Sequence, residues 1–143
     1  MFKHLAFCAL LFFSLPLSAQ TIHAQTQNRI EIDEEIFHIA AIQDPTIEAK
    51  LLSATAGDPA LNGLLLSLAV KSDQQWNVYF LKDIADYRIL PSAKNGYLKL
   101  QLRTEHLDST SHVTSQTSIL FVNMTAAAQA HGSIQIEEIV QKP

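Results

Sequence analysis

One cysteine, Cys8, occurs in the whole chain, so no disulfide can close within it and the fold must hold by burial alone. Glycine is scarce as well. Gly57, Gly63, Gly96 and Gly132 are dispersed, and none belongs to a run that could cradle a phosphate, which removes nucleotide-dependent chemistry from consideration. Positive charge is in deficit, with 10 Lys and Arg against 14 Asp and Glu. Nucleic-acid binding calls for the opposite balance, gathered on one face, and is set aside.

Catalytic signatures are missing too. No Gly-x-Ser-x-Gly elbow occurs, and no two histidines stand at the spacings that point side chains the same way on a strand or a helix. After residue 17 no apolar run approaches the roughly 20 residues that a bilayer about 30 Å thick requires, so no transmembrane segment is expected once the first apolar stretch is gone.

That first stretch has the three zones of an export signal. Lys3 and His4 give a basic start, Leu5 to Leu17 is apolar and too short to span a membrane, and Leu17-Ser18-Ala19 supplies the small residues before a cut at Gln20. Ala24 offers a second site. Residues 1–19 are therefore read as a signal peptide, which places the mature protein in the periplasm or outside the cell. Loss of Lys3 leaves nine basic residues against 14 acidic, a net charge of −5. Cys8 leaves with the signal, so the mature chain is expected to carry no thiol, and its remaining length suits one domain.

Residues 20–28 are polar and without apolar periodicity, and read as a flexible N-terminal arm. Residues 29–143 read as a single β-rich domain. Its clearest strand is Tyr97 to Arg103, where Leu98, Leu100 and Leu102 share one face and Lys99, Gln101 and Arg103 the other. Asn95-Gly96 before it signals a type I′ turn, with Asp86 to Leu90 as the preceding strand. Thr117 to Asn123, Ser133 to Glu137, Trp76 to Leu81, Arg29 to Asp33 and Ile36 to Ile39 are further strands. Asp108 to Ser115 and Thr125 to Gly132 read as loops.

Between residues 45 and 71 the sequence supports two readings. Asp44-Pro45 and Asp58-Pro59 each resemble a helix start, with Gly57 past the end of the first pattern. Ile47 to Thr55 and Leu64 to Lys71, separated by Asn62-Gly63, equally resemble a hairpin. The strand reading gives an all-β, mainly antiparallel, two-layer β-sandwich, of which the immunoglobulin-like arrangement without its cysteine pair is one form. The alternative is an α+β fold with one or two helices in that region.

Candidate chemistry is sparse. His106 and His112 flank the loop after the clearest strand, where Glu105 or Asp108 could join them in a metal or hydrolytic site, with Ser109, Ser111 and Ser115 nearby. His23, His38 and His131 are the other histidines after the signal, and solvated loop positions are the default for them. Glu34-Glu35 and Glu137-Glu138 are carboxylate doublets, but adjacent strand residues face opposite ways, so each reads as a solvated charge cluster. In a strand from Trp76, the side chains of Trp76, Val78 and Phe80 face one way and Asn77, Tyr79 and Leu81 the other. Both faces are expected to be covered; if one is open, Tyr79 and Leu81 are the patch anticipated for a partner or a sugar ring. Asn123-Met124-Thr125 matches the N-glycosylation pattern.

The sequence thus implies an exported, disulfide-free, non-enzymatic binding or accessory module of the cell envelope with a protein or envelope partner, and no catalytic, metal or cofactor residues are assigned. A small exported hydrolase or metal enzyme using His106, His112 and nearby acids is the rival. A carrier with an apolar cavity between its sheets is the third reading.

Overall fold

The structure is a computed structural model, and it describes residues 17–23, 36–55, 61, 63–73, 75–129 and 132–142. Among the described residues nine strands run in the order β1 (Leu17–His23), β2 (Ile36–Ile42), β3 (Ala49–Ala54), β4 (Leu64–Ser72), β5 (Gln75–Ile84), β6 (Asp86–Leu90), β7 (Tyr97–Leu107), β8 (Val113–Asn123) and β9 (Ser133–Gln141). They form two antiparallel sheets: sheet A, ordered β1-β9-β8-β7-β6, and sheet B, ordered β2-β3-β4-β5. The all-β sandwich reading holds, and no α-helix occurs among the described residues. Each sheet is a run of successive antiparallel strands, with β1 added at the β9 edge of sheet A, so the interleaved strand order of an immunoglobulin-like sandwich is not the one adopted.

The core follows from alternation. Ala49 and Leu51 of β3, Leu66, Leu68 and Val70 of β4, and Tyr79 and Leu81 of β5 point inward from sheet B. They meet Leu98, Leu100 and Leu102 of β7, Leu120 and Val122 of β8, and Ile134 and Ile136 of β9. Each large aliphatic side chain removed from water contributes about 1.5–3 kcal/mol, which is how a thiol-poor chain of this size stays folded.

The described residues between 45 and 71 form a strand pair rather than helices, with Ala49↔Val70 through Ala54↔Leu65 in register. Asp44 does cap backbone amides there, but in a turn. Its Oδ1 accepts from Thr46 N at 2.8 Å, Thr46 Oγ1 at 2.7 Å and Ile47 N at 3.0 Å. Its Oδ2 accepts from Gly96 N at 2.6 Å, so one carboxylate ties the β2–β3 connection of sheet B to the β6–β7 turn of sheet A.

That β6–β7 turn is not type I′. Type I′ needs positive φ at both central residues, whereas here only Gly96 has it, at 76°, with Tyr97 N donating to Lys94 O at 3.3 Å. A positive φ at the second central residue alone is the requirement of a type II turn.

Two further departures concern the ends of elements. Gln20–His23, read from sequence as part of a loose arm, pair with Ile136–Ser133 in β1, while residues 24–35 lie outside the described residues, the anticipated 29–33 strand among them. Leu17, Ser18 and Ala19 pair with Ile139, Glu138 and Glu137, so the cut expected after Ala19 falls within β1. The loop expected at 108–115 is shorter, because β8 starts at Val113.

In that loop Ser111 has φ 63°, a left-handed conformation unfavourable for a side chain with a Cβ. Ser111→Gly should therefore stabilise the protein by about 0.5–1 kcal/mol. A higher urea midpoint at unchanged slope is the expected readout, and a lower midpoint would refute the strain.

Candidate binding surface

Among the described residues the histidines do not assemble into a site. His112 lies at the β7–β8 hairpin tip, where Nδ1 is 2.8 Å from Thr110 Oγ1 and the backbone N donates to Asp108 Oδ1 at 2.9 Å. Asp108 Oδ1 also accepts from Thr110 N and Oγ1. These hydrogen bonds hold the carboxyl of Asp108 below its usual range, Thr110 contributing most and burial opposing weakly. The arrangement is a side-chain turn that shapes the loop. His106 instead lines a cleft of about 210 Å3 with Asp83, Thr104 and Glu105, and Glu105 is already paired with Arg103. His38 Nδ1 sits 3.1 Å from the Tyr87 hydroxyl, His23 is exposed on β1, and His131 lies outside the described residues, as do Glu34 and Glu35. Among the described residues no three His, Cys, Asp or Glu groups gather as a metal site would require.

The carboxylate doublet of β9 splits in two. Glu137 is exposed, whereas Glu138 points inward and accepts from Lys82 Nζ at 2.6 Å and Ser118 Oγ at 2.7 Å. Burial alone would raise its pKa, but the two hydrogen bonds and the charge of Lys82 outweigh that and leave it below the usual carboxylate value. Lys82 reaches it because β5 carries a bulge. Leu66 pairs with Lys82 but Ser67 with Phe80, so Leu81 is the extra residue and the facing of the strand reverses beyond it.

The same strand decides which aromatic face is open. Asn77, Tyr79 and Leu81 are the buried set and Trp76 and Phe80 the exposed one, so neither the fully covered arrangement nor the Tyr79–Leu81 patch is what forms. Tyr79 is drawn inward because the β8–β9 loop receives its hydroxyl: Oη donates to Gly132 O at 3.0 Å, and Asn77 Nδ2 donates to Ala127 O at 3.0 Å.

Across the outer face of sheet B the register sets Ile39, Leu52, Ser67 and Phe80 in one row and Ala41, Lys50, Ala69 and Val78 in the next. Trp76 extends the face, with Lys50 Nζ 4.6 Å from its ring centre. Ile39 is 54% exposed, Trp76 38% and Phe80 37%. No protein family, characterised protein or solved structure matches this chain. What the face can do must therefore be read from its own chemistry. Contiguous apolar side chains on one sheet face, with a cation over an indole, suit burial against another surface.

Sequence reasoning could reach two faces for β5 but not which was open. The signal lay in the partners: Asn77 and Tyr79 each carry a polar group that is tolerated inside only where a backbone carbonyl waits for it.

Proposed function

We propose that this protein is an exported β-sandwich that serves as a non-enzymatic binding or accessory module of the cell envelope, docking a protein partner on the outer face of sheet B. The observation that carries the reading is the row Ile39–Leu52–Ser67–Phe80 with Trp76 beside it, an apolar surface left in water on an otherwise well-filled sandwich. Burying such a surface gains roughly 25 cal/mol per Å2 of apolar area, so a handful of these side chains can drive association. The export signal read at residues 1–19 supports the location. A cut after Ala19 would remove Leu17–Ala19 from β1 and leave Gln20–His23 paired with β9.

Affinity capture of the tagged protein from its native envelope fraction tests the proposal, run beside the double variant Trp76→Glu, Phe80→Glu. A stoichiometric protein partner held by the natural sequence and lost by the variant, at equal urea midpoints, is the expected outcome. No partner, a partner indifferent to the substitutions, or hydrolytic turnover by the purified protein would refute it.

A further inference from the structure

The outer face of sheet A has a different character. Arg88 and Leu90 of β6 lie opposite Gln101 and Lys99 of β7, and Lys99 lies opposite Phe121 of β8. Residues directly opposite on antiparallel strands point to the same side, so these form one continuous surface. Two aromatic rings on it carry a cation: Lys94 Nζ stands 4.0 Å from the Tyr97 ring centre and Lys99 Nζ 5.5 Å from that of Phe121.

Most other cations of the sandwich are neutralised within it. Lys71 pairs with Glu48, Lys82 with Glu138 and Arg103 with Glu105. Arg88, Lys94 and Lys99 have no carboxylate partner among the described residues, although the chain as a whole is acidic. Acids near them are few. Asp86 accepts from the Tyr87 amide, and Glu137 lies opposite Phe121 on the far side from Lys99. Two clefts open in succession along the face. One, of about 340 Å3, is lined by Ser92, Lys94, Tyr97, Lys99 and Phe121; the other, of about 380 Å3, by Asp86, Arg88, Gln101, Arg103 and Thr117.

We infer that this face binds an acidic polysaccharide whose sugars carry carboxylates. The lysines held over Tyr97 and Phe121 supply counter-charge for carboxylates, and the ring surface they leave uncovered packs against the C–H surface of a sugar. Gln101 and Thr117 provide side-chain donors and acceptors for hydroxyls, and the shallow, open sheet admits a long, stiff chain without a lid. A nucleic acid is the competing polyanion, and the oligonucleotide arm of the test separates the two. The inference goes beyond the docking role of sheet B and does not depend on it.

Affinity electrophoresis of the purified protein through gels containing polygalacturonate or neutral dextran tests it, with a single-stranded oligonucleotide as a third probe. Polygalacturonate should retard the protein, salt should relieve the retardation, and Lys94→Glu with Lys99→Glu should weaken it about tenfold or more. Phe121→Leu should weaken it with every charge in place, and Arg88→Gln provides a milder charge variant whose urea midpoint verifies folding. Trp76→Glu with Phe80→Glu should leave the retardation unchanged, which separates this inference from the one on sheet B. No retardation, equal retardation by dextran, tighter binding of the oligonucleotide, or indifference to the charge variants would overturn it.

Discussion

Gly132→Ala should destabilise the protein by at least about 3 kcal/mol, enough to unfold a large fraction of it at ambient temperature. A Cβ at this position would lie 2.1 Å from Ala126 O, 2.8 Å from Ala127 Cα and 2.9 Å from Ala127 C. All three are backbone atoms, so no side chain can rotate away and the β8–β9 loop itself must move. Movement there breaks what holds the loop to β5, namely Tyr79 Oη to Gly132 O and Asn77 Nδ2 to Ala127 O and Gln129 O. Tyr79 would then keep a buried hydroxyl without an acceptor, at a cost of about 1–3 kcal/mol by itself. Urea denaturation followed by the fluorescence of Trp76 measures the change. A midpoint equal to that of the natural sequence would show that the loop does not pack as described.

Asp44→Ala is the second large effect, expected at about 2–3 kcal/mol, because hydrogen bonds to an ionised acceptor are each worth more than neutral ones. The substitution leaves the amides of Thr46, Ile47 and Gly96 without their acceptor and frees the two sheets from each other at that rim. Burial acts to raise the pKa of Asp44, but the hydrogen bonds from Thr46, Gly96 and Ile47 prevail and hold it below the usual carboxylate range. A carboxyl depressed on folding contributes stability that is fully present above its unfolded value and lost as pH falls through its folded value. The gap between the natural sequence and Asp44→Ala should therefore be constant from neutrality to mild acid and close below about pH 4. Glu138, depressed by Lys82 and Ser118, adds acid lability of the same sign. A gap independent of pH down to strong acid would refute the role of the ionised form.

The strands of the C-terminal half were legible because their alternation is complete. Leu98, Leu100 and Leu102 could only be one face of a sheet, and their burial follows from that spacing alone. The stretch from 45 to 71 was not legible in the same way. Asp44-Pro45 has the chemistry of a helix start, and that chemistry serves any backbone amide that lacks a partner; here the amides belong to a turn and to Gly96, more than 50 positions away in sequence. Glu137 and Glu138 look alike as a doublet, yet only the second meets a lysine, and that lysine is turned inward by a bulge on another strand.

The candidate site was half legible. Period two divided β5 into Trp76, Val78 and Phe80 on one side and Asn77, Tyr79 and Leu81 on the other. Hydrophobicity then ranked the wrong set as buried or left both covered. Apolar content favours Trp76, Val78 and Phe80 for the interior, and the carbonyls that accept Asn77 and Tyr79 come from Ala127 and Gly132.

By itself the sequence determined a thiol-poor, strand-rich chain with its hydrophobic faces marked out at every second residue, since local spacing and turn chemistry need no distant partner to be read. Tertiary structure alone decided which face of β5 meets water, which carboxylate is neutralised and where unpaired cations gather beside aromatic rings. Those outcomes depend on register between strands far apart in the chain, and a single extra residue in a strand reverses every side chain beyond it.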